Sequence, residues 1–177
     1  MEIVLMGYMG SGKSTIGNRI SNNFKLTFID LDSYIEEQEQ LSVSEIFEQK
    51  GEIYFRLKEA FYLENILKSK SNYVLSLGGG TPCYGKNMSL IKESAVVSCY
   101  LKASIPTLVS RLEKAKEKRP LLAAFNNEQL FEYVGKHVFE RATFYEQAMY
   151  KIDVNGSTID SVVDALSLKL NKHKVHR

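Results

Sequence analysis

The sequence predicts an α/β fold, a three-layer sandwich with a central parallel sheet and helices on both faces. Three observations predict it. Apolar runs alternate with segments of helical periodicity along the whole chain. The first run, Ile3-Val4-Leu5-Met6, is continuously apolar, the pattern of a strand buried on both faces. Glycine-rich turns follow two of the runs, at Gly7 and at Gly78-Gly79-Gly80. Open parallel sheets bind ligands outside the carboxyl ends of their strands, so these turns mark a candidate site.

Taken in order, the first strand is 3–6. Lys13 to about Asn22 reads as a helix, with Ile16 and Ile20 four apart on one face. Thr27-Phe28-Ile29 is a second strand, ending in Asp30-Leu31-Asp32. Ser42-Val43-Ser44-Glu45 is a capping box that starts a helix, and Gly51 ends it. A longer helix follows over about 52–67. Tyr73 to Leu77 is the third strand and Ala95 to Leu101 the fourth. Pro106 suits the first turn of a helix that runs to about Ala115. Lys114 to Arg119 is a charged stretch ending at Pro120. Helical patterns cover 128–149, a short fifth strand 151–154, and an amphipathic helix 159–170. The basic end, KHKVHR, reads as a frayed, disordered tail over 172–177.

The 177 residues suit one domain over 1–171, without repeats or linkers. The chain is 44% apolar and 25% charged, with a net charge of +2 spread along its length. That argues against nucleic-acid binding by bulk attraction. No apolar run approaches the roughly 18 residues a membrane span needs, and the first residues already read as a strand, so no signal peptide is expected. Cys83 and Cys99 share no metal or redox spacing, which fits a reducing, cytoplasmic setting. Cys99 reads as a core residue and Cys83 as an inert loop thiol.

Gly7-Tyr8-Met9-Gly10-Ser11-Gly12-Lys13-Ser14 matches the phosphate-loop pattern G-x-x-x-x-G-K-[ST]. A random chain of this length would carry it roughly one time in a hundred. Here a strand precedes it and a helix follows, as the chemistry requires. Gly10, Ser11, Gly12, Lys13, Ser14 and Thr15 would cradle phosphates with backbone N–H groups and the helix N-terminus. Lys13 would reach the β- and γ-phosphates, and the Ser14 hydroxyl would hold Mg²⁺. No N-K-x-D stretch marks a guanine-reading GTPase.

Asp30 and Asp32 follow the second strand, and extended alternation would put both carboxylates on one side. One would hold Mg²⁺ through water and the other accept a hydroxyl proton. Alone, such a pair reads as two solvated loop residues; after a phosphate loop the chemical reading is favoured. Arg56 and Glu59 share a helix face, an arrangement that is either an oriented anion clamp or a surface pair. The three glycines let a ligand approach the backbone closely. Arg111 and Arg119 flank a charged run, either a solvated stretch or a flap over the nucleotide. Arg141 and Tyr145 lie four apart on a later helix, where a second inward arginine would serve a carboxylate or phosphate.

The order of these motifs resembles the shikimate kinase family, P-loop small-molecule kinases of the nucleoside-monophosphate-kinase type. The resemblance runs from the loop to the last strand: Asp30/Asp32, Phe55-Arg56 with Glu59, Gly78 to Gly80, Arg119-Pro120-Leu121-Leu122, and Arg141 with Tyr145. It implies a P-loop kinase fold with a five-stranded parallel sheet, a substrate-binding flap over about 31–60 and a lid over about 112–122. It implies transfer of the ATP γ-phosphate to the 3-hydroxyl of shikimate, on the route to aromatic amino acids, in a cytoplasmic monomer. Catalysis would fall to Asp32 as base, Lys13 and Arg119. Asp32, Arg56, Gly78, Gly79, Gly80 and Arg141 would hold shikimate, with Phe47 and Phe55 against its ring. Ser14 and Asp30 would serve the metal. Arg111 and Asn155 would lie near adenine. The stretch Asp153-Val154-Asn155-Gly156 departs from the family, which usually has a basic residue and a proline there. Gluconate kinase is the nearest rival. A silent nucleotide-binding regulator would be expected to lose Lys13, an aspartate or the lid arginine, and all are present.

Overall fold

Alternation along the first strand explains the layering. β1 (Glu2–Met6) sends Ile3 and Leu5 into one apolar cluster and Val4 and Met6 into another, all fully buried. A computed structural model describes residues 1–115 and 125–175. Arg119, the Pro120-Leu121-Leu122 stretch and most of the expected lid lie outside the described residues. β2 (Thr27–Asp30), β3 (Tyr73–Ser76), β4 (Val97–Lys102) and β5 (Tyr150–Asp153) complete a parallel sheet in the order β2-β3-β1-β4-β5. Register pairs Val4 with Leu75 on one side and with Ser98 on the other. The chain turns outward in both directions from β1, which makes its carboxyl end the topological switch point.

The helices are α1 (Lys13–Phe24), α2 (Leu31–Glu39), α3 (Val43–Ser69), α4 (Asn87–Glu93), α5 (Ile105–Glu113), α6 (Asn127–Tyr145) and α7 (Ile159–Val175). α1, α5, α6 and α7 cover the Ile3/Leu5 face, and α2, α3 and α4 cover the Val4/Met6 face. The capping box at α3 forms: the Ser42 hydroxyl accepts from the Glu45 amide, and the Glu45 carboxylate accepts from the Ser42 amide. Gly51, at φ 82°, interrupts α3 where the sequence breaks the pattern. Glu39 joins α2 to α3. Its carboxylate accepts from Tyr54 (2.5 Å) and Tyr62 (2.8 Å) and pairs with Lys58 (2.9 Å). The Tyr54 hydrogen bond, then that of Lys58, holds this carboxyl down at about 2.

Three sequence expectations need correction. Asp30 and Asp32 are not on one side of an extended segment: Asp30 is the N-cap position of α2, and Asp32 sits in its first turn. Leu31 and Ile35, four apart and fully buried, pull this segment into a helix. A 3-10 turn (Thr81–Cys83) and α4 follow the glycine turn where no helix was read. The tail is not frayed from 172, because α7 continues to Val175. Lys172, His173 and Lys174 in its last turn complement the negative helix end, and Lys174 lies over the Phe24 ring.

Gly17 marks where α1 presses closest on the sheet. A Cβ there would lie 2.5 Å from Phe28 Cε2 and 3.2 Å from Leu5 Cδ1. Gly17→Ala is expected to lower stability by about 1 kcal/mol or more, because overpacking outweighs the gain in helix propensity. The check is a lower urea midpoint at unchanged m; an unchanged midpoint would show that the Phe28 ring yields freely.

Candidate active site

The phosphate loop is built by the turn that leaves β1. Gly7 has φ 145°, and a Cβ on it would lie 2.8 Å from the Leu101 carbonyl, so no other residue fits between β1 and β4. Gly12, at φ 98°, opens α1. Lys13 folds back over the loop, its Nζ donating to the carbonyls of Gly7 (2.8 Å) and Tyr8 (3.1 Å). Those carbonyls hold the ammonium against the loop. The Ser14 hydroxyl donates to Asp30 Oδ2 at 3.0 Å. These two hard oxygen ligands on adjacent elements suit Mg²⁺, which needs few protein ligands when phosphates and water supply the rest. Among the described residues no group of three or more His, Cys, Asp or Glu forms a metal cage.

A cavity of about 560 Å³ opens above the loop. Its lining includes Gly10 to Thr15, Asp30, Asp32, Gly78, Gly79, Arg111, Val154, Ser157 and Thr158. Arg111 is held by the loop itself, donating to the carbonyls of Gly10 (3.1 Å) and Val154 (3.0 Å). The Asn155 side chain accepts from the Ser104 amide at 2.8 Å, so it braces the loop after β5 against the start of α5.

Asp32 faces the glycine turn. A Cβ at Gly78 would lie 2.9 Å from its Oδ1, so a side chain there would displace the carboxylate. Burial, then the charges of Asp30 and Glu59, push Asp32 up to about 6, against the pull of Lys13. Arg56 stands on the other side of the turn. Its Nη1 donates to Glu59 at 3.0 Å, and its guanidinium lies 3.8 Å over the Tyr84 ring. Glu59 is 1% exposed and also accepts from Thr81 Oγ1 at 2.6 Å. Arg141 Nη1 lies 3.5 Å from where a Gly79 Cβ would be, and Arg56 Nη2 lies 3.2 Å from that of Gly80. The Tyr145 hydroxyl donates to the Gly79 carbonyl. The Phe47 and Phe55 rings meet at 4.7 Å beside Arg56.

The structure thus lines the cavity with Lys13, Ser14, Asp30, Asp32, Gly78, Gly79 and Arg111, while Arg141 and Arg56 reach the glycine turn at Gly79 and Gly80, and Arg56 lines a separate pocket with Glu52 and Tyr84. Thr81, Tyr84 and Glu52, which supports both Arg56 and Tyr84, went unread in the sequence. The signal for Thr81 and Tyr84 was their position just after the glycine run. Cys83 lies beside both arginines, yet burial pushes its thiol up to about 11, which leaves it protonated and unreactive.

A phosphate loop, an acidic pair and two arginines meeting at a glycine turn are what the motif order implied. The shikimate kinase family model matches residues 9–171. The chain belongs to the shikimate kinase family. A shikimate kinase of Flavobacterium johnsoniae is 49% identical over 163 residues, 92% of this chain and 94% of that protein. The crystal structure of shikimate kinase from Bacteroides thetaiotaomicron has a TM-score of 0.90 at 34% identity, covering 97% of this chain and 98% of that one. Shikimate kinase from Acinetobacter baumannii, solved in complex with shikimate, has a TM-score of 0.82 at 29% identity, covering 97% and 93%. The five-stranded parallel sheet is therefore that of the shikimate kinases.

The raised carboxyl of Asp32 has a signed consequence. Its folded pKa exceeds the ordinary 3.8, so ionisation costs the folded state. The cost is full above about pH 6 and gone below about pH 3.8. Asp32→Asn is therefore expected to stabilise the ligand-free protein in chelator at pH 8, by about 1–2 kcal/mol. The gain in Tm should shrink steadily as pH falls to 4.5. A gain independent of pH would separate it from the carboxylate's charge.

Proposed function

We propose that the chain transfers the γ-phosphate of ATP to the 3-hydroxyl of shikimate. The observation that carries the reading is that two guanidiniums on separate helices meet at one side-chain-free turn, next to a raised carboxyl and a phosphate loop. A cyclic, hydroxylated carboxylate fits that arrangement. Arg56 and Arg141 would hold its carboxylate, and the backbone of Gly78 to Gly80 would allow the ring to lie close. Phe47 and Phe55 would pack on the ring's apolar part.

In this mechanism the acceptor hydroxyl approaches Asp32, whose carboxylate takes its proton as the oxygen attacks the γ-phosphorus and the bond to the β,γ-bridging oxygen breaks, with ADP as the leaving group. The pKa of about 6 leaves Asp32 ionised at neutral pH yet basic enough for the task. Lys13 exchanges its two loop carbonyls for the β- and γ-phosphate oxygens, meeting charge that develops in the transition state. Mg²⁺, when bound with the nucleotide, would neutralise phosphate charge next to Ser14 and Asp30. Arg111 would lie against adenine, and Arg119 would act from the lid. The proposed setting is the cytoplasm and the proposed state a monomer. Both cysteines are free thiols, and among the described residues no helix is long and apolar enough to cross a membrane.

ADP release from Mg·ATP is expected to rise far more with shikimate than with gluconate. Equal stimulation by both, or by neither, would remove the assignment of acceptor. Arg56→Lys should raise the KM for shikimate by about 10-fold, because a lysine cannot keep two parallel hydrogen bonds while resting on Tyr84 and Glu59. ATP affinity should hardly change. The opposite pattern would move Arg56 to the nucleotide side.

A further inference from the structure

Arg56 and Arg141 are held in different ways. Arg56 has carboxylates at both flanks, Glu59 and Glu52. Arg141 has no carboxylate at ion-pair distance among the described residues. Its guanidinium instead lies 5.5 Å over the ring of Tyr8 and beside the Tyr145 hydroxyl. The Tyr8 ring and the Tyr145 hydroxyl are contacts that position this guanidinium.

Tyr8 is the second residue of the phosphate loop, and its side chain is 2% exposed. Its backbone carbonyl accepts from the Ser11 amide and from Lys13 Nζ, both at 3.1 Å. Its hydroxyl shares a 3.2 Å hydrogen bond with His137 Nδ1, one turn before Arg141 on α6. His137 packs edge-on against Tyr133, 4.2 Å between centroids, and Tyr133 packs on Phe125. Burial, then the nearby Arg141 charge, lowers His137 from its ordinary value, and the imidazole tautomer sets which partner of the Tyr8 hydroxyl–Nδ1 hydrogen bond donates.

Tyr8 therefore bears on both halves of the site: its backbone carbonyl holds Lys13, and its ring face lies under Arg141. A buried tyrosine with a satisfied hydroxyl has one orientation; without the partner it keeps the packing but loses the lock. We propose that His137 is a positioning residue, fixing Tyr8 so that the phosphate loop and the acceptor-side Arg141 are set by the same hydrogen bond. The proposal rests on the phosphoryl-transfer reading above for Arg141 and only on the phosphate loop for Lys13.

The test is a double-mutant cycle on the full-length chain, with Tyr8→Phe, His137→Phe and the pair, and His137→Asn as the conservative variant. Tyr8→Phe removes a single oxygen, so it keeps the test readable if His137→Phe folds poorly. Two quantities are read: ADP affinity by calorimetry, which needs no acceptor, and the KM for shikimate. Each single change should weaken both by about 2- to 10-fold, and the pair should be no worse than either alone. His137→Asn, which returns a hydrogen-bonding atom near Nδ1, should recover most of the loss while His137→Phe does not. Losses that multiply in the pair would overturn the proposal. So would unchanged ADP affinity and KM in His137→Phe with only a lower Tm, which would make His137 a packing residue. If the wild-type chain does not use shikimate, the acceptor assignment fails, and the ADP measurement still decides the role of His137.

Discussion

The acceptor side of the cleft depends on one buried carboxylate. Glu59 is almost wholly removed from water, and a charge there persists only when its hydrogen bonds are filled. Arg56 fills one side and Thr81 the other. The pair spans two parts of the chain, α3 and the turn after Gly80. Glu59 therefore fixes where Arg56 points and how the glycine turn sits against α3. Removing one partner of such a buried pair typically costs about 3–5 kcal/mol, so this contact carries stability as well as the orientation of Arg56. Asp32 also feels the Glu59 charge, which helps keep its carboxyl raised.

On the nucleotide side the constraint is steric. β1 and β4 run side by side, and the chain must leave β1 past the Leu101 carbonyl without a side chain. Once through, it wraps into the loop that ends at the N-terminus of α1. Lys13 and Arg111 then bind carbonyls of the loop, Lys13 at Gly7 and Arg111 at Gly10, and these bonds brace its shape. The switch-point position of β1 brings the acceptor side within reach, since β3 is its neighbour and the glycine turn leaves from β3.

Much of this was legible residue by residue. The phosphate loop is contiguous, so its chemistry is written in one stretch. β1, β3 and β4 showed because burial on both faces favours apolar runs, whereas the edge strands β2 and β5 are partly exposed. Arg56 and Glu59 showed because three residues on a helix bring them to one face. The whole of α2 was missed because Asp30-Leu31-Asp32 suits a helix start as well as a strand end, and only the burial of Leu31 and Ile35 decides between them. The expected end of α7 was early for a related reason: its basic last turn looks solvated in sequence, yet the helix dipole and the contact with Phe24 extend it.

The sequence by itself determined the alternation of strand and helix, the phosphate loop and the order of the charged motifs. Each of these is a local matter, governed by backbone sterics and the periodicity of neighbouring residues. Only the tertiary structure decided which charges meet. Asp32, Glu59, Gly79 and Arg141 are far apart in the chain, and their distances follow from the strand order and the layer each helix joins. The burial that raises Asp32, the pairing of Glu59 with Thr81 and the contact of Tyr8 with His137 arise from that packing. Spacing within a segment sets which face a residue takes, and the sheet sets what that face will touch.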